Sequence, residues 1–129
     1  MSGERDLATL LRGARPVLAH PAVVLASVAD PTGLPALATV VEDEGVTVVL
    51  RRADAEERGI PFDWVGAWIT LRIHSALDAV GLTAAVSAAL ADAGISCNVL
   101  AGLHHDHLLV PADRAADALA LLASLRPAP

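Results

Sequence analysis

The pattern of apolar and polar positions changes its period several times along the chain, which indicates alternating strands and helices. Short β-branched or alternating apolar stretches predict strands over 22–28, 37–41, 46–50, 65–74, 96–100 and 105–110. Apolar residues spaced three and four apart predict helices over 6–13, 53–58 and 82–93, and a last helix that Pro111 opens. The first half therefore has the order α-β-β-β-α, and the second half has the order β-α-β-β-α.

Turn residues separate these elements. Residues 30–33, Asp-Pro-Thr-Gly, place proline and glycine where a β-turn favours them. Residues 42–45, Glu-Asp-Glu-Gly, form an acidic tight turn between two strands and predict a hairpin. Pro16 and Pro21 are expected to bracket a connector before the first strand. Gly94 is expected to end the third helix.

Strands that alternate with helices, with a hairpin between two helices, are typical of the split βαβ, ferredoxin-like arrangement. We therefore expect an α+β protein, a two-layer sandwich of the βαββαβ type with antiparallel sheets. Two halves are predicted, residues 1–62 and residues 63–129. Because no stretch rich in serine or glycine separates them, we expect the halves to pack as one unit.

Composition narrows the classes of function. The chain has 129 residues, of which 54% are hydrophobic, and its net charge is −6 with arginine as the only cation besides histidine. An acidic chain without a basic run is a poor binder of nucleic acid or of an anionic membrane. No apolar run reaches the roughly 18 residues that a membrane span needs, and the polar N-terminus has no signal-peptide pattern. The single Cys97 forms no internal disulfide. These features predict a cytoplasmic protein, and no cofactor is predicted.

One long segment carries a family resemblance. Residues 75–85 read S-x-L-x-A-V-G-L-T-A-A, and G-I-S-C-N-V and H-D-H follow at 94–99 and 105–107. The segment 68–111 resembles the ACT domain, specifically a family of small stand-alone bacterial ACT proteins of unassigned function. The opening residues and the stretch A-T-V-V-E-D-E-G-V-T-V-V-L also resemble that family. The resemblance implies two ACT-like halves and a regulatory or sensing role.

The same segment is similar to the regulatory ACT domains of aspartate kinases. In those domains amino-acid effectors bind at the first strand–helix turn, usually across an interface between two ACT units. The resemblance implies a ligand site at Ser75, Leu77, Val80, Gly81, Leu82 and Thr83, together with Cys97 and Asn98. Leu82 replaces the aromatic residue and Asn98 replaces the acid of the kinase pattern, so the identity of the ligand stays open.

Elementary chemistry supports the same turn. A glycine at a helix entrance lets backbone N–H groups approach a ligand, and the positive end of the helix dipole favours a carboxylate. The ammonium of an amino acid needs oxygen acceptors, for which Asn98 and the acidic turn with Glu42 and Glu44 are candidates. In the structural alternative, Gly81 is only a close-packing position and Ser75 only a helix cap.

Two further groups of residues suggest other chemistry. Residues 104–107, His-His-Asp-His, could hold a metal, with His105 and His107 on one side of a strand and a third ligand such as His74. The alternative is a polar hairpin or a dimer contact, and we predict no metal site. Cys97 and His105 could form a catalytic pair on neighbouring strands, but apolar neighbours favour a small core or pocket-lining thiol. We therefore predict no catalytic residues.

Three functions remain in order of preference. The first is a homodimeric, allosteric binding module that senses an amino acid or a similar metabolite and is not an enzyme. The second is an interaction protein that docks on a partner enzyme and keeps a vestigial pocket. The third is a metal-dependent enzyme that uses the His-Asp-His segment.

Overall fold

The computed structural model describes residues 6–72 and 80–125. The described strands are β1 Pro16–Val28, β2 Ala38–Glu42, β3 Gly45–Arg51, β4 Val65–Leu71, β5 Asn98–Ala101 and β6 Asp106–Pro111. The described helices are α1 Leu7–Gly13, α2 Arg52–Glu57, α3 Leu82–Asp92 and α4 Ala115–Ala123, and a 3-10 turn over Ala112–Arg114 precedes α4. None of the helices in these two ranges is both long and apolar enough to span a bilayer.

All six strands join one sheet in the order β2-β3-β1-β4-β6-β5, and every neighbouring pair is antiparallel. The long strand β1 pairs with β3 of the first half and with β4 of the second, so the halves share a continuous sheet. The expected α+β, ferredoxin-like two-layer architecture is confirmed. The predicted hairpin is also confirmed, because β2 and β3 pair down to Glu42 opposite Gly45.

The helices cover one face of the sheet. In the larger core α1, α3 and α4 pack on β4 and β6, around residues such as Leu10, Ile69, Leu90 and Leu122. In the smaller core Ala55 of α2 packs on apolar residues of β1 and β3. Aliphatic side chains fill both cores, so burial of apolar area is the main stabilising contribution on this face.

The other face, which we call the helix-free face, is defined by its buried residues Val23, Val49, Trp68 and Leu109. The pattern of β4 predicts one aliphatic face and one face with polar and aromatic residues. Every residue of β4 after Val65 is nevertheless buried, including Thr70, which is 5% exposed. Strand β4 lies between β1 and β6 in the middle of the sheet, so side chains of the neighbouring strands flank it on both faces, and the helices cover one of these faces as well.

The expectation that Pro16 and Pro21 bracket a connector is wrong, since both prolines lie inside β1. The pairing of β1 with β3 extends only from Val28 to Val23, so residues 16–22 pair with β4 alone. Proline lacks an N–H and is tolerated in a strand at an edge or a bulge. Both conditions hold here, because this stretch of β1 is an edge on the β3 side and its register with β4 shifts on both sides of His20.

Helix α3 has well-defined ends. Gly94, with a φ of 73°, follows the helix, and the N–H of Ile95 donates to the carbonyl of Leu90 at 2.9 Å. The N–H of Gly94 donates to the carbonyl of Ala91, also at 2.9 Å, and the two bonds form the Schellman end that the glycine predicts. The helix begins at Leu82 with Gly81 as its N-cap, so Ser75 is not the cap of this helix.

Candidate functional site

The start of α3 has backbone donors that the helix itself does not satisfy. The first intrahelical bond runs from the N–H of Ala85 to the carbonyl of Gly81, at 2.9 Å. The preceding N–H groups, those of residues 82–84, have no partner within a helix by its geometry. Among residues 6–72 and 80–125, no side chain caps them, and Val80 and Thr83 beside them are exposed. This arrangement can accept an anionic group.

Gly81 has a structural role as well. Its φ is 102°, a conformation that residues with a side chain rarely adopt. A Cβ at this position would lie 3.1 Å from Cδ2 of Leu7 on α1, so the glycine also allows α1 to pack against the start of α3. The packing and the binding interpretation of Gly81 are therefore compatible. Leu82 is buried in the core, so its side chain is not available to a ligand.

Two of the predicted residues, Ser75 and Leu77, lie outside the described residues. Cys97 is half-buried and packs against the larger core, on the helix side of the sheet. Burial raises the pKa of the Cys97 thiol, which is the opposite of the lowered pKa that an activated nucleophile needs. The interpretation of Cys97 as a core or pocket-lining thiol is thus favoured over the catalytic one.

Asn98 lies far from the start of α3 in the same chain. It begins β5 four residues after Gly94, at the C-terminal end of the helix. At the usual rise per residue, α3 is about 16 Å long. Asn98 also pairs with Leu109, whose side chain belongs to the helix-free face, and directly paired residues share a face. The fold therefore does not bring Asn98 and Thr83 together within one chain.

The acidic turn is at the other edge of the sheet. Glu42 and Glu44 belong to the β2–β3 hairpin, whereas Asn98 belongs to the opposite edge strand β5. Five steps between strands correspond to about 24 Å. Both glutamates are exposed, and the hydroxyl of Thr47 donates to the carboxylate of Glu42. Within one chain the acidic turn is therefore far from Asn98.

The histidine segment forms the β5–β6 turn. The N–H of Gly102 donates to the carbonyl of His105 at 3.0 Å, which closes the turn before β6 begins. Within the described ranges, no three histidine, cysteine, aspartate or glutamate side chains form a group that could hold a metal. His74, the suggested third ligand, lies outside those ranges.

A buried polar network lies on the helix-free face, and the sequence analysis did not predict it. Trp68 Nε1 lies 3.2 Å from Thr70 Oγ1 and 3.2 Å from His107 Nδ1, and the last two atoms are 3.0 Å apart. Indole nitrogen only donates, so Nδ1 of His107 accepts and the proton of the neutral ring is assigned to Nε2. The alternating residues of β4 and β6 indicate which side chains of each strand share a face. They do not indicate the register between the strands, which makes these residues neighbours.

A cleft at the start of α2 was also missed. Its volume is about 560 Å³, and His20, Arg51, Arg52 and Glu56 contribute polar groups to its wall. Burial and the nearby Arg51 guanidinium lower the pKa of His20. The sequence shows two adjacent arginines, yet their proximity to His20 depends on the end of β3 and on the bulge in β1.

Comparison with known proteins places this fold. Models of the ACT domain match residues 2–66 and residues 65–124. A protein of unknown function from Vibrio cholerae, described as a possible transport protein, is 39% identical, with 90% of this chain and 92% of that chain covered and a TM-score of 0.81. A protein from Agrobacterium tumefaciens is 21% identical, with 85% and 87% covered and a TM-score of 0.60. No curated protein matches the chain.

The ligand-free regulatory subunit of aspartate kinase from Thermus thermophilus shares the fold. It is 14% identical, with 88% of this chain and 96% of that chain covered and a TM-score of 0.57. The two ACT matches follow one another along the sequence and meet at β4. The chain therefore belongs to the ACT-domain family, as a small protein with two ACT repeats and a ligand-binding regulatory role.

Proposed function

We propose that the chain is a cytoplasmic amino-acid sensor that acts by binding and not by catalysis, as a dimer of two copies. The observation that carries the proposal is the start of α3. There a left-handed glycine, three backbone donors and an exposed Thr83 surround the positive end of an 11-residue helix. A ligand carboxylate is the group that such an end binds best. The resemblance to effector-binding ACT domains supports an amino acid as its source.

The dimer follows from the position of the second predicted group. Asn98 can accept from the ligand ammonium through its side-chain oxygen. Because Asn98 and Thr83 lie at opposite ends of α3, the ammonium partner of one helix start comes from the second copy. In a twofold dimer the same contact occurs twice, so each site combines the helix start of one copy with Asn98 of the other.

The residue boundaries of the two halves, 1–62 and 63–129, are part of the same proposal. The sensor then has one half that carries the α3 site and one half that carries the acidic turn with Glu42 and Glu44. These glutamates provide the alternative acceptor for the ammonium if Asn98 does not serve.

Thr83→Glu tests the site without disturbing the core. A carboxylate in the first turn stabilises the helix by about 0.3 to 1 kcal/mol, but it occupies the position of the ligand carboxylate. We expect thermal-shift screening of the common amino acids to find a ligand, and calorimetry to show that Thr83→Glu no longer binds it. Thr83→Gln is the matched neutral control and should bind. If Thr83→Glu binds the ligand as tightly as the unmodified protein, the site is elsewhere.

Mixing variants tests the shared site. Asn98→Ala should weaken binding by up to about a hundredfold, the cost of leaving a charged partner unpaired. When Thr83→Glu and Asn98→Ala proteins are mixed and allowed to exchange, each mixed dimer contains one site with both defects and one site with none. Tight binding should therefore reappear on mixing. Light scattering that gives a monomer, or mixing that restores nothing, would count against the shared site.

A further inference from the structure

We propose that the cleft between the bulged stretch of β1 and the start of α2 is a second binding site, which takes a small monocarboxylate with a short apolar tail. Its polar wall is formed by His20, Arg51, Arg52 and Glu56, and Pro21 and Ala22 line it from the side of β1. The cleft belongs to the first half of the chain and contains none of the residues of the α3 site. Its volume of about 560 Å³ is in the range of small-molecule sites.

The backbone creates the cleft. Strand β3 makes its last pair with β1 at Arg51 opposite Val23, and the chain then turns into α2. Strand β1 begins earlier, at Pro16, so its residues 16–22 extend beyond the end of β3 and have no partner on that strand. Between the His20–Trp68 and Val23–Gly66 pairs, β1 has one residue more than β4 and bulges. The small side chains of Ala22 and Ala53 leave the resulting gap unfilled.

Arg51 keeps donors available for a ligand. Its ion-pair partner among the described residues is Asp54, whose carboxylate lies 3.7 Å from Nη1, too far for a direct hydrogen bond. Arg58 approaches the same carboxylate at 3.6 Å, so Asp54 is shared between two cations. The Arg51 side chain is half exposed, and Arg51 is the last residue of β3, so its pairing with β1 ties its backbone to the sheet.

Arg52 is held in place by two contacts. Its Nε donates to Oε1 of Glu56 at 2.8 Å, and its guanidinium carbon lies 5.8 Å from the centre of the Phe62 ring. Because Nε is already bonded, the terminal nitrogens are the donors that remain. A guanidinium fixed in this way loses less side-chain entropy when it binds a planar carboxylate.

The wall selects the charge and size of the ligand. It carries two guanidinium groups and one carboxylate, so one positive charge is left to attract a monoanion. The second charge of a dianion has no cation in the wall and is repelled by Glu56. Pro21, Ala22 and Ala53 give the rest of the wall an apolar surface, which fits a short aliphatic tail. Propionate has both features, and propionamide has the same shape without the charge.

His20 provides a readout of binding. It lines the cleft, and its ring meets Trp68 with centroids 5.7 Å apart. An occupant of the cleft therefore changes the surroundings of the Trp68 indole N–H. The chain has a second indole N–H signal, that of Trp64, and the variant Trp64→Phe shows which of the two signals belongs to Trp68.

The test is an NMR titration of the full chain with sodium propionate at constant ionic strength. We expect saturable shifts of the backbone amides of Ala22, Arg51 and Ala53 and of the Trp68 indole N–H. Propionamide should cause none of them, and sulfate should bind more weakly than propionate. Shifts that stay linear with propionate concentration, or equal shifts with propionamide, would overturn the proposal.

Variants of the wall complete the test. Arg51→Gln should weaken propionate binding about tenfold or more, since a hydrogen bond to a charged group is lost. Ala53→Leu should block the cleft at little cost to α2, because leucine is nearly as good a helix former as alanine. The control Arg114→Gln, at the start of α4, should bind normally. Unchanged affinity in both Arg51→Gln and Ala53→Leu would rule out this cleft. Because Thr83→Glu leaves the cleft intact, it should still bind propionate, so this proposal and the α3 site fail independently.

Discussion

The imidazole of His20 meets the indole of Trp68 edge-on, with ring centroids 5.7 Å apart and an interplanar angle of 89°. His20 belongs to β1 and Trp68 to β4, so the contact joins the strands at which the two ACT repeats meet. The ring of His107 on β6 lies 5.2 Å from the same indole. Trp68 therefore lies between two imidazoles whose protonation states affect one buried aromatic side chain.

The first prediction concerns pH. Burial is the main cause that lowers the pKa of both histidines below 6.5. The charge of Arg51 lowers the pKa of His20 further. His105 lowers the pKa of His107 further, whereas Asp106 raises it. Below pH 6.5 the unfolded chain therefore binds more protons than the folded one, and protonation favours unfolding. The free energy of unfolding should be level between about pH 7 and pH 8 and fall as the pH drops through about 6.5.

Urea denaturation at intervals from pH 8 to pH 5 measures this dependence. His107→Gln removes one of the two groups and should flatten the profile in that range. Asp6 and Asp30 do not titrate in this pH range, because hydrogen bonds from Thr9 and Thr32 respectively lower their pKa values from 3.8. A profile that is flat in the unmodified protein, or equally steep in His107→Gln, would refute the role of the imidazoles.

The second prediction concerns Thr70. Its hydroxyl bridges the donor on Trp68 and the acceptor on His107 at the centre of the sheet. Thr70→Val keeps the shape and removes both bonds, and we expect it to lower the free energy of unfolding by about 1 to 2 kcal/mol. The matched control is Thr83→Val, because Thr83 is exposed on α3. Equal denaturation midpoints for the two variants would show that the network contributes nothing to stability.

The third prediction concerns Gly66 on β4. A Cβ there would overlap the ring of Trp64 and lie 3.0 Å from the carbonyl oxygen of Val110. Gly66→Ala should therefore displace the Trp64 indole from the sheet, with a red shift of its fluorescence and a lower melting temperature. Gly33→Ala is the comparison variant. Its Cβ would meet nothing within 4 Å, so any destabilisation there comes from its φ of 81°, which is unfavourable for alanine, and not from packing. If only Gly33→Ala destabilises the protein, packing at Gly66 is not limiting.

The fourth prediction concerns metals. Nδ1 of His107 is already within hydrogen-bond distance of Trp68 and Thr70, and the described residues provide no group of three ligands around it. Treatment with a chelator should therefore leave the melting temperature unchanged, and zinc should not raise it. A loss of several degrees on chelation that one metal restores would establish a metal site at the β5–β6 turn.

Local patterns predicted most of the elements. Asp6 accepts from the N–H of Thr9 at 3.0 Å and caps α1, as its position before the apolar stripe indicates. The acidic turn before Gly45 forms the β2–β3 hairpin, and Gly94 ends α3. These features depend on residues within a few positions of each other, so the sequence contains the information directly.

The site was harder to predict for a physical reason. The motif that contains Gly81 and Asn98 is continuous in sequence, but a helix of about 16 Å separates the two residues in space. A motif states which residues occur together, and it does not state which copy of the chain supplies each of them. A site that combines the start of α3 with Asn98 therefore needs two copies of the chain.

By itself the sequence determined the periods, the turns and the resemblance to the ACT domain, and with them the fold class. Only the tertiary structure decided that Pro16 and Pro21 lie in β1, that both faces of β4 are buried, and that His20 lines a cleft with Arg51. Each of these depends on the register between strands that are distant in the sequence. Register is fixed by the packing of the whole sheet, so no short stretch of the chain contains it.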